Sequence, residues 1–230
     1  MAENQAEHVA DEVGHTESTA SGRIVLLAGA TSAAGLAVTR ALVSAKARVV
    51  ATGRSEERLR ELADAGAQVE VADATSLDEM TALASQLGPL DAVVPLVGGW
   101  RGGGGLAGQS DEDFAALLPA LHAVRATSRA FDGAVRASEA GRFAIVSSTA
   151  VARPLAGGAN YAAVKTASEA WARAVAQGYA KAAREADEPL RAASVVFRAK
   201  ALDPDALAAR IVALWDEDAT ALNDRVLDLG

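Results

Sequence analysis

Tyr161 and Lys165 are the two residues of this chain best placed by type and spacing to do acid–base chemistry. They stand four apart, Tyr161-Ala-Ala-Val-Lys165, inside an alanine-rich stretch over 160–185 that reads as a helix. Spacing of i, i+4 puts both side chains on one helix face. An ammonium beside a phenol favours the phenolate, so such a pair can serve as general acid and base without a histidine. Ser148 lies thirteen residues upstream, just past an apolar stretch over 143–147 that reads as a strand. A serine there can donate to a substrate oxygen, or can simply cap a turn. Each residue alone has a plain structural explanation, but the three together at these intervals are poorly explained by coincidence.

Few other catalytic devices are open to the sequence. It has 230 residues and no cysteine, which removes thiol nucleophiles, Fe–S clusters and cysteine-based zinc sites. Of the three histidines, His8 and His15 fall in the first twenty residues and only His122 lies in the body. A histidine triad or a histidine-rich metal site is therefore not expected, and no metal is anticipated.

Holding such a set in place requires strands and helices in alternation. Apolar runs over 23–28, 47–52, 67–72, 90–97, 143–147, 190–197 and 225–229 read as strands. Helical stretches fill 33–45, 56–65, 77–87, 111–140, 160–185 and 204–215, with Ser55 and Ser76 as N-caps and Pro119 as a kink or break. Alternation of this kind predicts an α/β fold, a single doubly wound parallel sheet of about seven strands with helices on both faces. Alanine supplies 57 of the residues, which favours helix and close packing of small side chains.

The first strand runs straight into Gly29-Ala-Thr31-Ser32-Ala33-Ala34-Gly35 and then a helix. Glycine in such a turn lets the backbone bend tightly and approach a pyrophosphate resting on the helix N-terminus. A glycine-rich turn between strand and helix also occurs as plain structure, and Gly-x5-Gly falls short of a three-glycine fingerprint.

Net charge is −8, but residues 1–22 hold five acids and neither Lys nor Arg. They read as a disordered acidic tail, leaving 23–230 as one nearly neutral domain. An acidic balance gives no footprint for nucleic acid or an anionic membrane. No apolar run reaches the ~20 residues of a membrane span. The polar, acidic N-terminus does not read as a signal peptide. A soluble, cytoplasmic protein is expected.

Over 23–230 the sequence resembles the short-chain dehydrogenase/reductase family, whose Gly-rich turn, Ser and Tyr-x-x-x-Lys correspond to Gly29–Gly35, Ser148, Tyr161 and Lys165. The resemblance implies a Rossmann-type domain that binds NAD(P)(H) and acts on a small carbonyl or alcohol. It implies that Tyr161 exchanges a proton with the substrate oxygen and Ser148 holds that oxygen. Lys165 would bind the nicotinamide ribose and favour the Tyr161 phenolate. Asp73 and Ala74, after the third strand, would lie by the adenine, although Asp73 is equally an acid at the start of a helix. Val97 and Gly98, after the fourth strand, would also touch the cofactor. Arg54 follows Gly53 where an acid would favour NAD, so NADP(H) is preferred and NAD(H) is possible. A solvated surface arginine explains the residue as well.

Several family features are altered. The middle glycine of the turn is Ala33, and the threonine before it is Ala28. Asn-Asn-Ala-Gly becomes Pro95-Leu-Val-Gly98, and Pro-Gly after the sixth strand becomes Phe197-Arg198. The proton-relay asparagine would fall on Ala120 or Leu121, with His122 adjacent as a substitute or a mere helix-surface residue. The lid after the sixth strand is cut to residues 199–203. The Gly-rich segment 98–108 either compensates for it or is a disordered connection. Trp100 either lines the pocket or is a plain loop residue. Two functions follow: a carbonyl reductase or alcohol dehydrogenase, or a weak or inactive relative acting as a nucleotide-binding partner. Alanines along 160–185 (Ala162, Ala163, Ala167, Ala170, Ala174), with the family's habit, predict a homo-oligomer, dimer or tetramer.

Overall fold

The computed structural model describes residues 18–229. Seven strands form one all-parallel sheet. They are β1 (Ile24–Ala28), β2 (Arg48–Gly53), β3 (Gln68–Val71), β4 (Ala92–Pro95), β5 (Arg142–Ser148), β6 (Ala193–Ala199) and β7 (Arg225–Asp228). Seven helices connect or follow them: α1 (Ala33–Ser44), α2 (Glu56–Asp64), α3 (Leu77–Leu87), α4 (Asp111–Ala137), α5 (Ala159–Ala186), α6 (Pro204–Val212) and the short α7 (Ala219–Leu222). Strand order is β3-β2-β1-β4-β5-β6-β7, so the direction of winding reverses between β1 and β4. A crevice opens at the carboxyl ends of strands at such a reversal, where α/β sheets bind ligands. The expected fold is the observed one.

Side chains alternate across the sheet, so both faces are apolar. Val25 and Leu27 of β1 pack with Val38 and Leu42 of α1 and Leu207 and Ile211 of α6. Leu26 and Ala28 face the other way, into a core with Met80 of α3, Phe131 of α4 and Tyr179 of α5. Alanine lets helices come close: Ala123, Ala126, Ala172 and Ala176 are all buried in α4 or α5.

Several boundaries depart from the sequence reading. The tail expected over 1–22 lies outside the described residues as far as 17. Residues 18–22 form an ordered turn, in which Ala20 is fully buried and the Thr19 hydroxyl donates to Asp216 at 2.5 Å. Pro119 neither breaks nor ends its helix, because Leu117 and Ala120 beside it are buried against Val164 of α5 and hold the turn. The 90–97 run is broken late by its proline, as expected of a residue that offers the ladder no N–H: β4 ends at Pro95. β6 runs on through Arg198 to Ala199, beyond the 197 expected from hydrophobicity.

Candidate active site

β1 ends at a tight turn whose conformation glycine makes possible. Gly29 has φ +75°, and a Cβ at Gly35 would fall 1.9 Å from the Ala30 carbonyl oxygen. The turn is held by Thr52 of β2, whose Oγ1 accepts from Gly29 N–H at 3.1 Å and whose carbonyl accepts from Ala30 N–H at 2.8 Å. Ser32 caps α1 by accepting from Gly35 N–H, and Ser32, Ala33 and Ala34 line the cleft. The first N–H groups of a helix have no acceptor within it, and no acid stands in the first turn of α1. This end of the cleft is therefore suited to an anion, and a diphosphate fits its chemistry.

The cleft has a volume of about 1110 Å³. Val97 and Gly98 after β4, Ser148 at the end of β5, and Tyr161 and Lys165 on the first two turns of α5 share its lining with the α1 N-terminus. Residues brought together from the expected set are thus Ser32, Ala33, Ala34, Val97, Gly98, Ser148, Tyr161 and Lys165. Gly29, Thr31, Gly35, Arg54, Asp73 and Ala74 lie outside this lining. Gly29, Thr31 and Gly35 form the turn beneath it. Arg54 follows β2 and is exposed, while Asp73 and Ala74 follow β3. Asp73 uses one carboxylate oxygen to accept from Thr75 N–H and Oγ1 (2.9 and 2.8 Å), as an acid at a helix start does. The family substitution Ala33 still lines the cleft, so a methyl group there leaves it open.

Ser148 and Lys165 have defined environments. The Ser148 Oγ accepts from Ala150 N–H at 3.2 Å, which leaves its own O–H free to donate into the cleft. The Lys165 Nζ donates to the Val146 carbonyl at 2.8 Å and lies 5.8 Å from the centre of the Tyr161 ring. Burial pushes Lys165 down to about 8, against a smaller opposing pull from Glu169 one turn along α5. Tyr161 is half-buried, and among the described residues no hydrogen bond holds its hydroxyl. The other tyrosine, Tyr179, is 2% exposed in the core, and burial pushes its phenol up, so it cannot serve as the acid.

No side chain takes the relay position: Ala120 is buried, and His122 is exposed on α4 and outside the cleft. The connection after β6 is as short as expected, because Asp203 immediately caps α6 by accepting from Asp205 N–H at 2.9 Å. The Gly-rich loop 98–108 takes over part of the wall. Its Gly103 N–H donates to the Gly157 carbonyl at 2.7 Å, and a Cβ at Gly102 would meet that same oxygen at 2.3 Å. Gln109 then fastens it. The amide nitrogen reaches the carbonyls of Gly103, Gly105 and Gly157 (3.1, 3.3 and 3.1 Å), and the amide oxygen accepts from Asn160 N–H at 3.1 Å. Trp100 and Gly103 of this loop share the cleft lining with Leu155 and Gly157. Gln109→Ala should leave the fold intact but free the loop. Amide exchange at Gly103 is expected to accelerate about tenfold, the effect of losing roughly 1.4 kcal/mol of local hydrogen bonding. Unchanged exchange would show that the loop is held by something else.

Three residues escaped the sequence reading. Arg58 donates to the Thr31 carbonyl, which folds its guanidinium back onto the Gly-rich turn. Glu169 is buried one turn beyond Lys165, and Arg198 is bound to it. Position i+4 from Lys165 was a visible signal for Glu169. Nothing in the sequence pairs it with Arg198, 29 residues away.

Comparison with known proteins agrees with this architecture. The family model described as short chain dehydrogenase matches residues 23–183. The chain belongs to the short-chain dehydrogenase family. It is thereby a member of an oxidoreductase family. It is 32% identical over 151 residues to an NADP-dependent 3-hydroxy acid dehydrogenase of Shigella flexneri, a match spanning 62% of this chain and 60% of that relative. Among solved structures, a short chain dehydrogenase from Shigella flexneri complexed with NADP shares the fold at TM-score 0.80 and 18% identity, covering 93% of this chain and 99% of that one. A metagenomic short-chain oxidoreductase in complex with NADP has TM-score 0.73 and 28% identity, covering 92% and 98%. Among the described residues no helix is long and apolar enough to cross a membrane, and no acidic or histidine cluster could hold a metal.

Proposed function

We propose that this short-chain dehydrogenase family member is an NADP(H)-dependent oxidoreductase of the carbonyl reductase or alcohol dehydrogenase type. The observation that carries the reading is the shared cleft. Ser148, Tyr161 and Lys165 stand in the same lining as the acid-free N-terminus of α1. A dinucleotide would lie along the carboxyl ends of the strands, its diphosphate against Ser32–Ala34. Its nicotinamide end would come toward Gly98 and Lys165. NADP(H), when bound, supplies or accepts the hydride. In the reducing direction the free Ser148 O–H donates to the substrate carbonyl oxygen. The Tyr161 hydroxyl gives that oxygen its proton, and the Lys165 ammonium steadies the negative charge left on the phenol.

Selectivity for NADP(H) over NAD(H) is assigned to Arg54 with Arg58. Arg54 directly follows β2 and Arg58 is bonded to the Gly-rich turn, so either guanidinium could meet a 2′-phosphate there. On the substrate side, the described lining carries Arg153 and Lys200 and no carboxylate. Together with exposed Trp100 and Leu155 at the rim, this suits a small carbonyl or hydroxy compound with an acidic group, such as the hydroxy acid named for the relative. Ala120 at the relay position favours the second reading, a weak or inactive nucleotide-binding partner. Outward-facing Ala163, Ala170 and Ala174 on α5 support a homo-oligomer, a dimer or tetramer by sedimentation.

Titration with both nucleotides is the decisive experiment. NADPH is expected to bind at least about tenfold tighter than NADH, a difference of roughly 1.4 kcal/mol from the charged contacts. Turnover of a carbonyl should follow on a panel that includes keto acids. Binding without turnover on any substrate would establish the partner reading. Binding of neither nucleotide would remove both.

A further inference from the structure

We propose that Glu169, buried, and Arg198, half-buried, form a strut that positions Lys165 and Tyr161 by anchoring α5 to the ends of β5 and β6. The proposal rests on the catalytic reading of Tyr161 and Lys165 given above. Tyr161, Lys165 and Glu169 follow one another at i, i+4 and i+8, so three successive turns of α5 present one face to the sheet. Each of the last two turns is fastened to a successive residue of β5. Lys165 Nζ donates to the carbonyl of Val146, and Glu169 Oε1 accepts from Ser147 Oγ at 2.6 Å. Arg198 then closes the arrangement from β6. It lies in register with Ser147, and its guanidinium grips the carboxylate with both arms, Nε to Oε1 at 2.8 Å and a terminal nitrogen to Oε2 at 2.6 Å. A bidentate pair of this kind fixes direction as well as distance.

The burial of Glu169 makes a purely stabilising role a weak explanation. Only 3% of the residue is exposed, and a buried carboxylate bears a desolvation cost that a well-packed apolar pair avoids. Burial alone would push Glu169 up, but the hydrogen bonds from Arg198 and Ser147 outweigh it and hold it below the ordinary carboxylate range. It is therefore an anion at neutral pH, one turn from an ammonium that burial pushes down to about 8. The charged and titratable groups around Lys165 are few. Tyr161 and Glu169 lie on its own helix and Arg198 on β6, with Lys200 following β6. Gly98 faces it from the β4 loop and is uncharged. Of these, Glu169 is the only anion, so it alone favours the protonated lysine. Arg173 and Asp228 lie one shell further out, against Glu169 and Arg198.

The experiment uses the full chain and three variants: Glu169→Gln, Glu169→Asp and the apolar double swap Glu169→Leu/Arg198→Met. There are only four lysines, so 13Cε-lysine NMR reads the titration of Lys165 without cofactor or substrate. In Glu169→Gln, Lys165 is expected to titrate lower by roughly half a unit or more, the effect of losing a nearby anion. The basic limb of kcat/KM against pH should move with it, and kcat should fall about tenfold or more while KM changes little. Glu169→Asp should recover part of both. The double swap separates positioning from stability: it should melt at or above the wild type yet stay low in kcat and shifted in Lys165. A double swap with wild-type kcat and an unmoved Lys165 titration would overturn the strut. Should the wild type turn over no carbonyl, the catalytic reading falls, and the Lys165 titration still decides the strut on its own.

Discussion

Tyr161→Phe should lose turnover by about 10²–10⁴-fold while still binding NADPH within about twofold of the wild type. The range is what a positioned proton donor contributes. Among the described residues no hydrogen bond engages the Tyr161 hydroxyl, so removing it breaks no structural contact. The ring, half-buried beside Leu117, Ala120 and Val164, remains in place. Folding should therefore change by well under 1 kcal/mol. The chain offers its own control in its second tyrosine. The Tyr179 hydroxyl is buried with no partner among the described residues, so Tyr179→Phe removes a desolvated polar atom and leaves the ring in the core. It should be at least as stable as the wild type and fully as active. Steady-state rates with NADPH and a carbonyl panel, beside thermal melts, read both variants. Equal rates for Tyr161→Phe and the wild type would remove Tyr161 as the acid.

The difference between the two tyrosines shows what the sequence carried. Tyr161 could be singled out because its signal is local: a lysine one turn away and a serine at the end of the preceding strand. The sheet was legible for a similar reason. Val25 and Leu27 must face one way and Leu26 and Ala28 the other, and runs of that kind between Gly and Ser caps leave few alternatives. Features that depend on distant partners were hidden. Arg198 interrupts the apolar run, which ends the expected strand at 197, yet Arg198 continues it, half-buried. Only the carboxylate of Glu169, brought by a helix, makes its position stable. The Gly-rich loop 98–108 was indistinguishable from a disordered connection because its order comes from outside it, from Gln109 and the Gly157 carbonyl. Of the two outcomes expected at Pro119, the break does not occur: its local penalty is real, but tertiary burial of its neighbours outweighs it. Residues 18–22 were assigned to the tail because nothing local shows that Ala20 is buried.

Lys165→Met should abolish turnover and at the same time make the protein more stable at neutral pH. Lys165 is 8% exposed and its ammonium is pushed from its ordinary 10.5 down to about 8 by burial. The unfolded chain therefore holds the lysine proton over a range where the folded chain has released it. Between about pH 8 and 10.5 the unfolded state binds more protons, so the stability of the wild type rises with pH through that window. Below pH 8 the whole cost of burying the charge is present, roughly 3 kcal/mol for a shift of this size. Methionine fills similar space without that cost, but the hydrogen bond to Val146 is lost, about 1 kcal/mol in the other direction. The balance favours the variant by about 1–2 kcal/mol at pH 7, or roughly 3–6 °C in melting temperature for a chain of this length. The advantage should shrink steadily above pH 8, reach zero at about pH 9.5, where the remaining charge cost equals the lost hydrogen bond, and turn slightly negative well above 10.5, where both states are neutral. Paired melts of wild type and variant without cofactor, at pH 7 and pH 10, measure it directly. A variant less stable than the wild type at pH 7, or an advantage that grows with pH, would mean that the ammonium stabilises the fold. The expected sign places Lys165 among residues kept at the expense of stability, which is what a buried cation retained for chemistry requires.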